Sequence, residues 1–242
     1  MILHSLFDFL ALLTAVLVFR YLPVPGDGGA AAQPWQRHPL YLTAASLGVT
    51  LGAYLFGTLN LWLSGIEGFG RSIEGAIAGG VISIELLKAA TGMRGSTGLR
   101  FAAPLAAAIV VGRIGCFLAG IDDQTYGSAT DLPWAVDFGD GIPRHPVQLY
   151  ESLSMAVFLA GFILLLGRRH PLALRTGFYL FVGAYAGQRF LWEFLKPYGA
   201  VFGPFNCFHL LSAALIAYAI IFARQEFKRA WTTQTSPASM PV

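Results

Sequence analysis

Arg113 and Arg189 each interrupt an apolar run, in Gly112-Arg113-Ile114-Gly115-Cys116-Phe117 and in Tyr185-Ala186-Gly187-Gln188-Arg189-Phe190. An ionisable side chain at the centre of a membrane helix costs about 2.5–3.5 kcal/mol on insertion scales, and such residues usually face a functional interior. Two guanidiniums placed at that cost suit an anion, because the planar fork holds phosphate or carboxylate oxygens through paired, charge-assisted hydrogen bonds. Glu74 and Glu151 open two further apolar segments and offer carboxylates, either as bases or as partners for the arginines. A plainer reading competes, in which Arg113 and Arg189 pair with Glu74, Glu151 or Glu193 and hold helices together. Glu193 follows Arg189 at the spacing that puts both on one helical face. Glu74 equally suits a helix start, where negative charge is favourable. Cys116 reads as a small buried residue, since no basic partner adjoins it in sequence.

These side chains need helices to position them. Mean hydropathy is +0.60, hydrophobic residues make up 55% and charged residues only 12%, which is about half the roughly 25% of a soluble domain. That excludes an ordinary water-soluble fold. A helical span needs about 20 mostly apolar residues, and seven segments qualify: roughly 5–23, 42–64, 73–92, 101–119, 146–166, 176–195 and 205–223. The third and sixth are the least hydrophobic. The first lacks a basic start and a small-residue cleavage site, so it is expected to be a retained helix and not a signal peptide. The expected fold is therefore all-α, a polytopic membrane protein with a single integral-membrane domain over residues 1–230 and a polar, disordered cytoplasmic tail over 231–242.

Lysine and arginine accumulate in short cytoplasmic loops, and this fixes an expected orientation. With the N-terminus outside and the C-terminus inside, the cytoplasmic ends receive Arg20, Arg37, Lys88, Arg94, Arg100, Arg168, Arg169, Arg175, Arg224, Lys228 and Arg229. The external side receives only Arg71, Arg144 and Lys196. The net charge of +3 thus reflects topology, and no nucleic-acid partner is expected. In this orientation Glu74, Arg113, Glu151 and Arg189 all fall near the outer leaflet. The long external connection from Gly120 to His145 adds Asp122, Asp123, Asp131, Asp137, Asp140, Arg144 and His145; connections of this length are often functional. Its Leu132–Val136 stretch reads as ordered and interfacial, with Trp134 and Tyr126 as interfacial anchors.

Gly48/Gly52, Gly75/Gly79 and Gly183/Gly187 carry the four-residue spacing that lets helices approach closely. Asp27–Ala32 reads as a short flexible loop. The two cysteines, Cys116 and Cys207, show no metal-ligand spacing and no disulfide framework, so neither a metal nor a cofactor is expected.

The series Gly112-Arg113-Ile114-Gly115-Cys116-Phe117-Leu118-Ala119-Gly120, Tyr126-Gly127, Asp131-Leu132-Pro133-Trp134 and Arg144-His145-Pro146-Val147-Gln148-Leu149-Tyr150-Glu151 resembles the prolipoprotein diacylglyceryl transferase family. Gly183 with Arg189-Phe190 and Glu193-Phe194 resembles a later helix motif of the same family. The resemblance implies a seven-helix enzyme of the bacterial inner membrane that moves a diacylglyceryl group from phosphatidylglycerol to the lipobox cysteine thiol of a preprolipoprotein. It implies catalytic roles for Arg113 and Arg189, beside which Glu74, Asp122 and Asp123 are the candidate catalytic carboxylates. Contacts to the lipid and to the preprolipoprotein segment would come from Arg113, Arg144, His145, Gln148, Tyr150, Glu151 and Arg189. Three positions depart from the family pattern. A His-Gly-Gly start to the third helix reads Glu74-Gly75-Ala76, an asparagine is Cys116, and an Asn-Gly-Glu is replaced by Ala119-Gly120 followed by Ile121-Asp122-Asp123-Gln124. Asp122 or Asp123 is the expected source of the missing carboxylate, and Glu74 is expected as a base or as an electrostatic partner for an arginine in place of the family's histidine. A small transporter or flippase, or a non-catalytic scaffold, stands as the alternative.

Overall fold

A computed structural model describes residues 2–25, 36 and 38–234. The Asp27–Ala32 loop lies outside the described residues. Seven long helices make up most of the described residues: α1 (Ile2–Tyr21), α2 (Tyr41–Leu63), α3 (Ile73–Thr91), α4 (Leu99–Ala119), α5 (Val147–Gly167), α6 (Pro171–Glu193) and α7 (Cys207–Gln234). A 3-10 turn (Gly120–Asp123) follows α4, and two short strands, β1 (Val136–Asp137) and β2 (Pro143–Arg144), pair antiparallel before α5.

Helix ends follow from local chemistry. The Ser72 hydroxyl accepts the Gly75 amide at 3.1 Å and caps α3, while Gly92, at φ 71°, ends it in the left-handed region. α6 begins five residues before the expected start, because His170 caps the Leu172 amide at 3.2 Å and Pro171 fits the first helical position. α7 runs on to Gln234, beyond the expected limit of the span and four residues into the expected tail; residues 235–242 lie outside the described residues.

Five helices, α1, α2, α4, α5 and α7, are long and apolar enough to cross a membrane. α3 and α6 are the two that are not, and they carry Glu74 on one and Gln188, Arg189 and Glu193 on the other. They can hold these residues because each buries the face that carries them: Glu74, Arg189 and Glu193 are all buried. Ala173, Phe181, Val182, Tyr185 and Ala186 of α6 are fully buried against α4, α5 and α7. The outward faces invert the pattern of a soluble protein: Leu12, Leu51, Trp62, Leu86, Leu153, Val157 and Leu164 are all exposed. That apolar shell requires a lipid solvent.

The α2–α3 pair is built on four of the expected glycines. A Cβ on Gly79 would collide with the Gly48 carbonyl oxygen, and one on Gly52 with the Gly75 carbonyl oxygen, so the two backbones touch. Gly183 and Gly187 do not work this way. A Cβ on Gly183 would make an ordinary 3.5 Å contact with Ala219, and one on Gly187 would meet nothing within 4 Å. The expected close approach at that pair is corrected accordingly. Gly79→Ala is therefore expected to destabilise the purified protein by about 1–3 kcal/mol through overpacking. Gly187→Ala, in open space, should be neutral or gain a few tenths of a kcal/mol from helix propensity. Thermal unfolding of the two variants in detergent, side by side, checks this contrast.

Candidate functional site

The start of α3, the start of α5, the end of α6 and the first turns of α7 converge on one buried polar cluster. Arg189 is its hub. Its Nε donates to Glu74 Oε2 at 3.3 Å and its Nη1 to Glu151 Oε1 at 2.6 Å, while Nη2 lies 2.8 Å from Glu193 Oε2. All three nitrogens thus face protein carboxylates, and the guanidinium sits 5.0 Å from the centre of the Phe208 ring. Glu74, with no exposed surface, is held on its other oxygen by the Ser212 hydroxyl at 2.6 Å. Glu193 Oε1 accepts from Asn206 Nδ2 at 2.9 Å, and Lys196 Nζ donates to Glu151 Oε1 at 2.8 Å. Arg113 enters from α4, its Nε 2.5 Å from Glu151 Oε2. Among the described residues Glu151 is the one carboxylate paired with Arg113. Three carboxylates and three cations balance, which is the condition under which charges persist in a low-dielectric interior.

The cluster borders a polar cavity of about 650 Å³ lined by Arg113, Arg189, Asp122, Asp123, Cys116 and Asn60, with His4, Asp8 and Arg71 also on its wall. A second, predominantly apolar cavity of about 510 Å³ runs beside it between α1, α2, α3 and α4, lined by residues such as Ala45, Val49, Ile77, Leu105 and Ile109. The two share Asp8, Ile73, Ala76 and Gly112. A polar chamber opening beside a greasy slot matches an amphiphile with an anionic head.

The connection between α4 and α5 forms a separate ordered unit. Asp137 Oδ1 accepts from the amides of Gly139, Asp140 and Gly141 at 2.8–3.1 Å, closing the turn between β1 and β2. Arg144 Nη1 bonds Asp140 at 2.5 Å and its guanidinium lies 5.0 Å from the Tyr126 ring centre; the hydrogen bond from Arg144 holds the Asp140 carboxyl below its ordinary range. Trp134 Nε1 donates to the Tyr150 hydroxyl at 2.7 Å, and Tyr150 also meets His145 and Trp192. Gly127 is needed because a Cβ there would collide with the His145 carbonyl oxygen.

The expected site residues therefore divide into groups. Arg113, Arg189, Asp122 and Asp123 line the polar cavity, and Glu74 and Glu151 stand behind them as partners of the arginines. Gln148 is enclosed, with both amide atoms lacking a hydrogen bond. Arg144, His145 and Tyr150 are not on the wall of either cavity, because the hairpin engages Arg144 through Asp140 and Tyr150 through Trp134. The sequence reading missed four residues of this region: His4 and Asp8 near the N-terminus, Arg71 before α3, and Lys196 after α6. His4 and Asp8 sit at helical spacing on one face, which was the available signal; the other two had been read only as topology charges.

The helices and the balanced charge cluster define a multi-pass, all-helical membrane protein with a polar chamber beside an apolar slot. A family model described as prolipoprotein diacylglyceryl transferase matches residues 5–224, and the chain belongs to that family. Among similar proteins, the phosphatidylglycerol–prolipoprotein diacylglyceryl transferase of Geobacter sulfurreducens is 32% identical over 190 residues, covering 73% of this chain and 72% of that protein. The enzymes of the same name from Vibrio vulnificus and Vibrio cholerae are 34% and 33% identical over 225 and 221 residues, covering 85% and 82% of this chain and 79% of each relative. No solved structure matches the chain significantly.

Proposed function

We propose that this protein transfers a diacylglyceryl group from phosphatidylglycerol to the lipobox cysteine thiol of preprolipoproteins. The observation that carries the reading is the position of Arg113 on the wall of the polar chamber, next to Gly112, which lines both cavities, with Glu151 as its single carboxylate partner among the described residues. A lipid can lay its acyl chains along Val49, Ile77 and Leu105 and present its phosphate to that guanidinium. Seven spans, with the N-terminus outside and the C-terminus inside the inner membrane, put this chamber at the outer leaflet; the loop charges support that orientation.

The thiolate sulfur attacks the glycerol carbon of the diacylglyceryl group, the carbon–oxygen bond to phosphate breaks, and its electron pair stays on the departing glycerol phosphate. Arg113 stabilises the charge growing on that phosphate, with Arg71 at the cavity wall as a further cation. Arg189 acts as a positioning residue: bound to three carboxylates, it fixes Glu151, and Glu151 fixes Arg113. Glu74, bound on both oxygens and set behind Arg189 instead of on the cavity wall, belongs to that same scaffold of charge and is assigned no role as a base. Asp122, exposed on the cavity wall, is the carboxylate placed to take the thiol proton.

Purified protein incubated with phosphatidylglycerol and a lipobox peptide should yield a peptide heavier by one diacylglyceryl group, with glycerol phosphate released in equal amount, read by mass spectrometry. A serine-for-cysteine peptide should gain nothing. An unmodified cysteine peptide alongside unchanged lipid would reject the assignment.

A further inference from the structure

His4 of α1, Cys116 of α4 and Asp123 of the 3-10 turn meet on the wall of the polar cavity, with their donor atoms all within 4.8 Å of one another. His4 Nε2 lies 2.8 Å from Asp123 Oδ1, and the other ring nitrogen, Nδ1, lies 3.2 Å from Asp8 Oδ2. The packing of α1 on α4 brings them together: a Cβ on Gly115 would collide with the Phe7 side chain, so the bare glycine lets α1 approach at the turn that carries His4. We propose that His4, Cys116 and Asp123 form a binding site for a zinc-type divalent cation, and that its open coordination position captures the acceptor thiol as thiolate.

The donor set selects the metal. One imidazole nitrogen, one thiolate sulfur and one carboxylate oxygen suit zinc, whereas magnesium and calcium take oxygen ligands. Tetrahedral zinc, with bonds of about 2.0–2.3 Å, sets donor atoms roughly 3.3–3.8 Å apart, so donor atoms that already lie within 4.8 Å of one another close on a metal by side-chain shifts on the order of 1 Å. The Asp8–His4 contact is the outer partner that ligating histidines commonly have; it orients the ring and leaves Nε2 for the metal. Cys116 and Asp123 together supply two negative charges to balance a dication. Three protein ligands leave a fourth position, as at catalytic zinc sites, and all three line the chamber that also holds Arg113 and Arg189.

Metal coordination deprotonates a thiol, which answers the principal chemical need of thiol alkylation. An acceptor cysteine entering the fourth position loses its proton to Asp122 or to cavity water. Its sulfur then forms the bond to the glycerol carbon as the phosphate departs toward Arg113. The thioether product is a weaker ligand and can leave. This use of the site rests on the transferase reading, whereas the site itself rests on geometry. Local sequence spacing concealed it, because the ligands are distributed over positions 4, 116 and 123 and only the fold joins them.

Cobalt(II) is the probe. Metal-free protein in detergent should take up one equivalent and develop the visible bands of a tetrahedral site together with a near-ultraviolet thiolate-to-cobalt band. Cys116→Ser should lose the thiolate band, Asp8→Asn should weaken affinity about 10- to 100-fold, and His4→Ala should weaken it further, each variant eluting as wild type on size exclusion. A cysteine lipobox peptide should intensify the thiolate band and a serine peptide should not. Absence of tetrahedral bands, or a thiolate band indifferent to Cys116→Ser, would overturn the site. A spectrum indifferent to the cysteine peptide, or full transfer after complete chelation, would overturn thiol capture. Loss of transfer in a protein that still binds cobalt and responds to the peptide would instead count against the transferase reading.

Discussion

Arg113→Lys is expected to lower turnover by about 10²- to 10³-fold, the range seen when one donor to a developing oxyanion is removed, while the protein folds and is recovered normally. The two halves of that expectation have separate causes. Lysine keeps the charge, but it loses the planar fork that meets two phosphate oxygens at once. Folding survives because Glu151 does not depend on Arg113 alone: its Oε1 also accepts from Arg189 at 2.6 Å and from Lys196 at 2.8 Å. Arg113→Ala should behave similarly, with turnover at or below that of the lysine variant. Rates with purified enzyme and saturating lipid, set beside folded yield and the thermal midpoint, make the comparison. A lysine variant with wild-type turnover would remove Arg113 from the donor site. Parallel loss of activity and folded yield would make it a structural ion pair.

Helix positions were largely legible because a membrane span is written as uninterrupted hydropathy. α2 was expected over 42–64 and occurs as Tyr41–Leu63, and α3 was expected over 73–92 and occurs as Ile73–Thr91. The ends that slipped, at the start of α6 and the finish of α7, are determined by a cap and by solvated charge instead of by apolar length. The site was legible in part for a similar reason. Arg113, Arg189, Glu74 and Glu151 advertise themselves as charges in apolar surroundings, and they do meet. Which charge pairs with which was not legible, because Glu74, Glu151 and Arg189 lie on three helices far apart in sequence and pairing depends on rotation about each axis. His145 and Arg144 looked like site residues because they sit in a matching motif. The structure shows that the motif also encodes a hairpin, with Gly127 under His145 and Arg144 engaged by Asp140. His4 was invisible because an isolated histidine near a chain start has no local partner except Asp8.

Arg189→Met should have the larger effect on the fold, lowering stability by about 3–5 kcal/mol, the cost of leaving one side of a buried ion pair uncompensated. Arg189 is the cation for Glu74 and Glu193 together, and it shares Glu151. Without it, Glu74 keeps only the Ser212 hydroxyl and Glu193 only the Asn206 amide, neither of which neutralises a carboxylate. Methionine fills much of the same volume, so the loss reports charge more than a cavity. Glu74→Gln should cost less, because Arg189 retains Glu151 and Glu193 and glutamine can still accept from Ser212. Combining the two is the discriminating measurement: removing Glu74's charge should relieve part of the Arg189→Met penalty, giving a double variant more stable than the sum of the single losses. Strict additivity in denaturant or thermal unfolding would show that the two charges are not coupled. Turnover provides the second axis. If Arg189 acts by fixing Glu151 and thereby Arg113, the folded fraction of Arg189→Met should retain lipid binding but lose rate; a folded variant with normal turnover would show that the cluster holds helices together and does nothing for the chemistry.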